Sequence, residues 1–294
     1  MKKFILVYNP VSGDAFFKYR LDDIIEKFLA RNCIIIPFRT TRDNSELFMD
    51  LIQTVGADGV IISGGDGTVH EIINALLKNG VDLPVGIIPS GTCNDFASYA
   101  GLGQNIDDYV NTIISGSIVP VDIGRINDKY FLNVASAGLL SSVAHSVDSG
   151  LKNTLGKIAY YLKGLGEIPN FRSLTMTICA DDRVMQEDVF LFLILNSGTV
   201  GSMSNLIPAR INDGKLDLLV VKQCSIPELM TLFVGLLTGK NITQHRSVVY
   251  LQAQNLHIAC TEEVESDVDG ELGPKLPLEV AAIAGRLRLF CEKL

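Results

Sequence analysis

The sequence predicts an α/β chain in two parts, a parallel-sheet α/β domain at the N-terminus followed by a mainly antiparallel β domain. Three observations carry this. Strand and helix patterns alternate up to about residue 124, the apolar period then changes to two, and glycine-rich loops fall where the early strands end. The first strand, Phe4 to Tyr8, is followed by a helical stripe of Phe17, Leu21, Ile24, Ile25, Phe28 and Leu29 and by a second strand, Cys33 to Phe38. A helix from about Ser45 carries Phe48, Leu51, Ile52 and Val55. The strand Gly59 to Ile62, a helix bearing Val69, Ile72, Ile73, Leu76 and Leu77, and the strand Val85 to Ile88 complete the alternation. Such a pattern predicts parallel strands joined by crossover helices. Beyond about Ile123, Leu174 to Ile178, Val248 to Gln252 and Arg286 to Leu289 have the period of half-buried strands, and Val189 to Leu195 is a continuous apolar run. Helical stretches around Lys152 to Leu165 and from near Pro227 interrupt them. The change of period places the domains at 1–124 and 125–294, with the last strand free to return to the first domain.

Composition narrows the function classes. The 294 residues are 47% apolar and 20% charged, ordinary for a globular protein of two domains. No run reaches the roughly 18 apolar residues of a membrane span, and Lys2-Lys3 precedes too short an apolar run for a signal peptide. Six scattered cysteines without a C-x-x-C pair, and four dispersed histidines, suggest neither a zinc site nor a disulfide framework, so a cytoplasmic location is expected. A formal charge of −8 argues against nucleic-acid binding, which relies on many Lys and Arg contacts to phosphate. A local basic patch can still dock on a membrane, because screening confines surface charge effects to about 8 Å.

In open α/β sheets ligands bind beyond the carboxyl ends of the strands, and the polar loops of this chain fall there one after another. After the first strand comes Asn9-Pro10-Val11-Ser12-Gly13, and after the second Thr40-Thr41. After the third comes Gly64-Gly65-Asp66-Gly67-Thr68-Val69-His70-Glu71, and after the fourth Ser90-Gly91-Thr92-Cys93-Asn94-Asp95. Glycine admits a backbone N–H close to an anion, and a helix start aims unpaired N–H groups at the same spot. The loops lack Lys and Arg, which suggests phosphates held by backbone N–H and hydroxyl groups with a divalent metal supplying positive charge. The Gly64 to Glu71 loop is neither a P-loop nor G-x-G-x-x-G. No Gly-x-Ser-x-Gly elbow supports a hydrolase.

These loops, together with Asp213-Gly-Lys-Leu-Asp217 and Asp269-Gly-Glu271, resemble nearly end to end the soluble bacterial diacylglycerol kinase-like lipid kinases, relatives of diacylglycerol, ceramide and sphingosine kinases. The resemblance implies a nucleotide-binding domain followed by a β-sandwich domain, with ATP as co-substrate and phosphoryl transfer to a lipid hydroxyl. It implies that Asn9, Pro10, Val11, Ser12, Gly13, Thr40, Gly65, Asp66, Gly67, Thr68, Val69, His70, Glu71 and Thr92 line the ATP site, with Asp66 working near the phosphates. It further implies a structural Mg²⁺ on Asp213 and the carbonyls of Arg210 and Lys215, a chemically reasonable set for a hard cation. On sequence alone, Asn212-Asp213-Gly214 reads equally well as a hairpin turn. Many relatives carry a lysine directly after the Asn-Pro-x-Ser-Gly run. Here Asp14 stands there, so Lys18 or Arg20 must substitute, or the electrostatics of the loop differ.

Transfer to an alcohol asks for a carboxylate that accepts the hydroxyl proton. Glu271 is favoured, with Asp269 as its partner, and the reverse order stays open. His70, inside a helix start, reads as structural. Access to a lipid at a membrane surface, peripheral and reversible, is assigned to Leu229 to Leu237 and to Lys152, Lys157 and Lys163, although the first equally suits a core helix and the second a solvated face. A homodimer is compatible with the pattern. The alternatives are an NAD kinase-like phosphotransferase, which shares GGDG but not the other loops, and a non-catalytic nucleotide-binding regulator.

Overall fold

The computed structural model describes residues 1–13, 16–41, 44–103, 105–138, 173–199, 207, 209–238 and 240–292. Its contacts divide the chain into two compact units, Met1–Val121 with Gly285–Leu294, and Asp122–Ala284.

The first unit is built on parallel strands β1 (Lys2–Tyr8), β2 (Cys33–Arg39), β3 (Gly59–Gly64) and β4 (Val85–Pro89), in the order β4-β3-β1-β2. The final residues of β15 (Leu278–Cys291) add a parallel neighbour to β4 through Leu289 and Val85. Helices α1 (Phe16–Leu29), α2 (Ser45–Val55), α3 (Asp66–Lys78), α4 (Asp95–Tyr99) and α5 (Ile106–Ser115) connect them. β1 and β3 are buried along most of their length, which is why they read as continuous apolar runs. The stripe on α1 buries Phe17, Ile24 and Phe28 against Phe4, Leu6, Ile61 and Ile88 of the sheet. Phe4 meets Phe28 at a 60° tilt and Phe290 edge-on, each at a centroid separation of 5.9 Å. α5 has no counterpart among the sequence expectations. Asn105 caps it, accepting the Asp108 N–H at 3.0 Å, and Ile106, Val110 and Ile113 form its buried face.

In the second unit the strands pair antiparallel among the described residues of β7 (Val134–Gly138), β8 (Leu174–Ala180), β9 (Arg183–Leu195), β10 (Leu216–Lys222), β11 (Val248–Ala253), β12 (Asn255–Cys260), β13 (Glu265–Val268), β14 (Glu271–Lys275) and the start of β15. β5 (Ser117–Ile126) enters this unit and pairs with β6 (Lys129–Phe131). The order β14-β13-β7-β9-β8-β12-β15 forms one path, with β10 and β11 branching from β9. Alternation along β9 explains its unbroken apolar run. Phe192 and Ile194 enter the sandwich core, while Leu191, Leu193 and Leu195 lie on the other side against helix α6 (Ile226–Leu237). The antiparallel β-sandwich implied by the resemblance is therefore what the chain forms. Among the described residues no helix is long and apolar enough to cross a membrane.

Candidate active site

In the first unit the three glycine-bearing loops pack backbone on backbone. Asn9 donates its amide to Thr68 Oγ1 at 3.0 Å, its N–H bonds the Ser63 carbonyl at 2.9 Å, and its Oδ1 accepts the Val11 N–H at 3.1 Å. Ser12 Oγ reaches the Ser90 carbonyl at 3.3 Å, and the Ser90 N–H bonds the Gly64 carbonyl at 3.0 Å. Gly13, at φ +56°, stands so close to the Ser90 carbonyl that a Cβ would overlap it, and a Cβ on Gly91 would overlap Cα of Gly65. Asn94, also left-handed at φ +52°, closes the fourth loop on itself with bonds of 2.9 Å to both the N–H and the carbonyl of Gly91. Sequence reasoning assigns these glycines to phosphate approach. The structure adds a second reason, the contact between loops. Thr40 hydrogen-bonds the Tyr8 carbonyl through its N–H at 2.9 Å and its hydroxyl at 3.3 Å, fixing the exit of the second strand.

Helix α3 begins at this cluster, so its free N–H groups and positive dipole end open there. Gly67, Glu71 and Thr92 are exposed, and Gly65, Asp66 and His70 are half-buried. Thr68 and Val69 are buried: Val69 serves the helix packing, and the Thr68 hydroxyl is engaged by Asn9. Their side chains thus shape the loop. Asn74 donates to the His70 carbonyl at 3.0 Å and stands 3.4 Å from the His70 imidazole Nε2.

Asp66, expected to work near the phosphates, is half-buried where the third loop meets the fourth. Its carboxylate accepts the backbone N–H groups of Asp95, Asn94 and Phe96, the start of α4. Burial first, and then the Asp95 carboxylate, push its pKa above the usual carboxylate range, against those N–H bonds. Asp95 itself is 8% exposed. Because the folded pKa is raised, the native state binds more protons than the unfolded chain between the two pKa values. Asp66 thus contributes stability that is complete below the unfolded pKa and lost as pH rises through the folded one. We expect Asp66→Asn to flatten this fall. Urea midpoints of both proteins between pH 4 and 7 test it, and parallel curves would refute it.

In the second unit Asp269 and Gly270 are both left-handed, at φ +51° and +88°, and Val268 pairs with Glu271. This is a two-residue type I′ hairpin turn, for which Asp-Gly is a preferred sequence. The Asp269 carboxylate accepts N–H groups of Leu132 at 2.7 Å, Asn133 at 2.9 Å and Val134 at 2.9 Å. These three bonds tie the hairpin to the 132–134 segment. Glu271, one position past the turn, is exposed. The turn 210–215 is also ordered. Asp213 Oδ1 accepts the Lys215 N–H at 3.0 Å, and Asp122, itself 2% exposed, takes the Gly214 N–H at 2.6 Å. Arg210, Asp213 and Lys215 are exposed, and among the described residues neither Asp213 Oδ2 nor the Arg210 carbonyl accepts a hydrogen bond. Exposed oxygen donors on a rigid turn suit Mg²⁺.

Asp14, the Lys18 side chain, Lys152, Lys157 and Lys163 lie outside the described residues. Of the apolar stretch on α6, Leu229 and Leu232 are buried against the sheet, while Ile226 and Val234 are exposed. The core-helix reading therefore holds for the inward face. Asp95, Asp122 and Asn196 are the residues that sequence reasoning left out of the site. Asp95 stands in the quoted Asn-Asp pair, whereas Asp122 lies in β5 outside every quoted motif.

Residues 3–126 match the diacylglycerol kinase catalytic domain model. The chain belongs to the diacylglycerol kinase family. Residues 133–291 match the YegS C-terminal NAD kinase beta sandwich-like domain. A diacylglycerol kinase of Bacillus subtilis is 33% identical over 100% of this chain and 97% of its own length, and one of Staphylococcus epidermidis is 31% identical over 99% and 93%. A crystal structure described as a diacylglycerol kinase of Bacillus anthracis aligns with a TM-score of 0.78 at 25% identity, covering 99% of this chain and 97% of that one. A second structure from that organism gives 0.84 at 28% identity, covering 99% and 95%. The sandwich of this kinase-family chain is thus a type whose model also names NAD kinase, so the catalytic-domain match separates the two readings. The chain is a diacylglycerol kinase-type lipid kinase.

Proposed function

We propose that this kinase transfers the γ-phosphoryl group of ATP to a lipid hydroxyl, with diacylglycerol the first acceptor and phosphatidic acid the product. The observation that carries it is the packing of the Asn9, Gly65 and Ser90 loops at the start of α3, which presents backbone N–H groups without a basic side chain. Asn9 to Gly13, Thr40, Gly65 to Glu71 and Thr92 supply the nucleotide site, with Thr68 and Val69 acting through the backbone. Asp66 braces the third loop against the fourth through α4. Glu271 accepts the proton of the acceptor hydroxyl, and Asp269 holds its hairpin in place. Asp213 and the carbonyls of Arg210 and Lys215 hold Mg²⁺. Bound metal supplies charge neutralisation for polyphosphate.

The enzyme works in the cytoplasm on a lipid surface that it docks to reversibly, and Ile226 and Val234 of α6 offer an exposed apolar contact. Vesicle cosedimentation of Val234→Asp tests the contact, and unchanged binding would remove it. Sedimentation of the purified chain decides whether it forms a homodimer.

Incubation with Mg-ATP and diacylglycerol, other lipid alcohols or NAD tests the activity, each acceptor being assayed for phosphorylated product. Phosphatidic acid is expected. Product from NAD alone would favour the NAD kinase-like reading. ATP binding without transfer to any acceptor would favour a regulator. Asp213→Asn is expected to raise the Mg²⁺ concentration needed for half-maximal rate by about tenfold, the order seen when a metal's supporting groups are lost. An unchanged titration would place the metal elsewhere.

A further inference from the structure

Asn196 is fully buried at the end of β9, and none of its catalytic neighbours explains it. Its Nδ2 donates to two backbone carbonyls, Asp122 at 2.9 Å and Leu132 at 2.9 Å, and its own N–H bonds the Asn133 carbonyl at 2.8 Å. Two carbonyls on one side fix which end of the amide is nitrogen. Its Oδ1 is then left buried with no hydrogen-bond partner among the described residues. An orphaned buried acceptor costs on the order of 1–3 kcal/mol, so stability alone does not favour this residue.

What the side chain connects gives it a reason. Toward one side, Asp122 holds the Gly214 N–H at 2.6 Å and so fixes the turn that carries Asp213. Toward the other, Leu132 lies in the segment clasped by Asp269, whose N–H in return bonds the Val134 carbonyl at 2.9 Å. The polar backbone groups of Leu132 and Asn133 are thereby all taken by two residues, Asn196 on the carbonyls and Asp269 on the N–H groups. From Gly214 to Glu271 the path runs through Asp122, Asn196, Leu132 and Asp269, with hydrogen bonds of 2.6 to 2.9 Å. Every residue on it belongs to the second unit.

We propose that Asn196 is a positioning residue that couples the Asp213 turn to the Asp269–Glu271 hairpin. The claim rests on the proposed role of Glu271 for its effect on turnover, but the coupling itself is a property of the protein without substrate. Perturbing one turn must therefore be felt at the other.

Amide hydrogen exchange reads this directly. Asp213→Ala changes an exposed side chain, so the protein keeps its fold. In the otherwise native chain it should speed exchange at Gly214 and also, at least fivefold, at Gly270 and Glu271. In an Asn196→Ser background the effect should stop at Gly214. Exchange at Gly270 and Glu271 unaffected by Asp213→Ala would overturn the proposal, and that arm decides it even where Asn196→Ser does not fold. An equal response with and without Asn196 would overturn it too. As a kinetic check, Asn196→Ser should lower kcat at least tenfold with KM for Mg-ATP within twofold. A purely structural role would not give that split with an unchanged exchange pattern in the first unit. Because exchange needs no phosphorylated product, a chain that shows the coupling but phosphorylates no lipid would remove the functional reading and leave this one standing.

Discussion

Replacing Glu271 with Gln is expected to lower kcat by about 10²–10⁴-fold, the usual contribution of a positioned general base, with KM for ATP and the unfolding midpoint unchanged. Gln keeps the size of the side chain and loses only its capacity to take a proton. Glu271 is exposed and pairs with Val268 through its backbone, and among the described residues its side chain makes no hydrogen bond, so removal of its charge leaves the turn intact. Asp269→Asn should behave differently. Its Oδ1 accepts from Asn133 and Val134 and its Oδ2 from Leu132, so an amide places an NH₂ group against at least one N–H donor. Loss of both turnover and about 1–3 kcal/mol of stability is expected there. Steady-state rates set beside urea unfolding separate the two variants. A full rate in Glu271→Gln would move the proton acceptor elsewhere, and a loss of rate without loss of stability in Asp269→Asn would give the two carboxylates the reverse order.

Period and punctuation made the first unit legible. Where a strand is buried along its length, as β3 is, or a helix carries one apolar face, as α1 does, the sequence has little freedom to disguise it. α5 escaped because its cap and its three buried apolar residues form too short a pattern to stand out. In the site, residue types that act through the backbone were visible, since Gly, Asn and Asp at turns have few other reasons to cluster. Residues that act on another residue's backbone were not. Asn196 makes contacts with residues more than sixty positions away, and no local spacing encodes that. Asp66 shows the same limit from the opposite direction. The motif marks the residue, but its partners on the start of α4 are a product of two loops meeting in space.

That meeting of loops also sets the expected result for Gly91→Ala, a substitution of one methyl group. The added Cβ would overlap Cα of Gly65 and stand 2.9 Å from Asn94 Oδ1. Neither neighbour can yield cheaply, since Gly65 is the cap residue of α3 and Asn94 is tied to both backbone groups of Gly91. Overpacking of this kind costs about 1–3 kcal/mol, and here the strain falls on backbone. Alanine at Gly56 provides a contrast. That glycine is left-handed at φ +60° with open space around it, so Ala there strains one dihedral and touches nothing. The two variants can therefore lose similar stability while differing in function. Gly91→Ala should raise KM for ATP at least tenfold, because the third and fourth loops are forced apart where the N–H groups of α3 open, whereas Gly56→Ala should leave KM within twofold. Equal effects on KM would mean that the spacing of these loops does not set nucleotide affinity, and the phosphate site would have to be sought away from the start of α3.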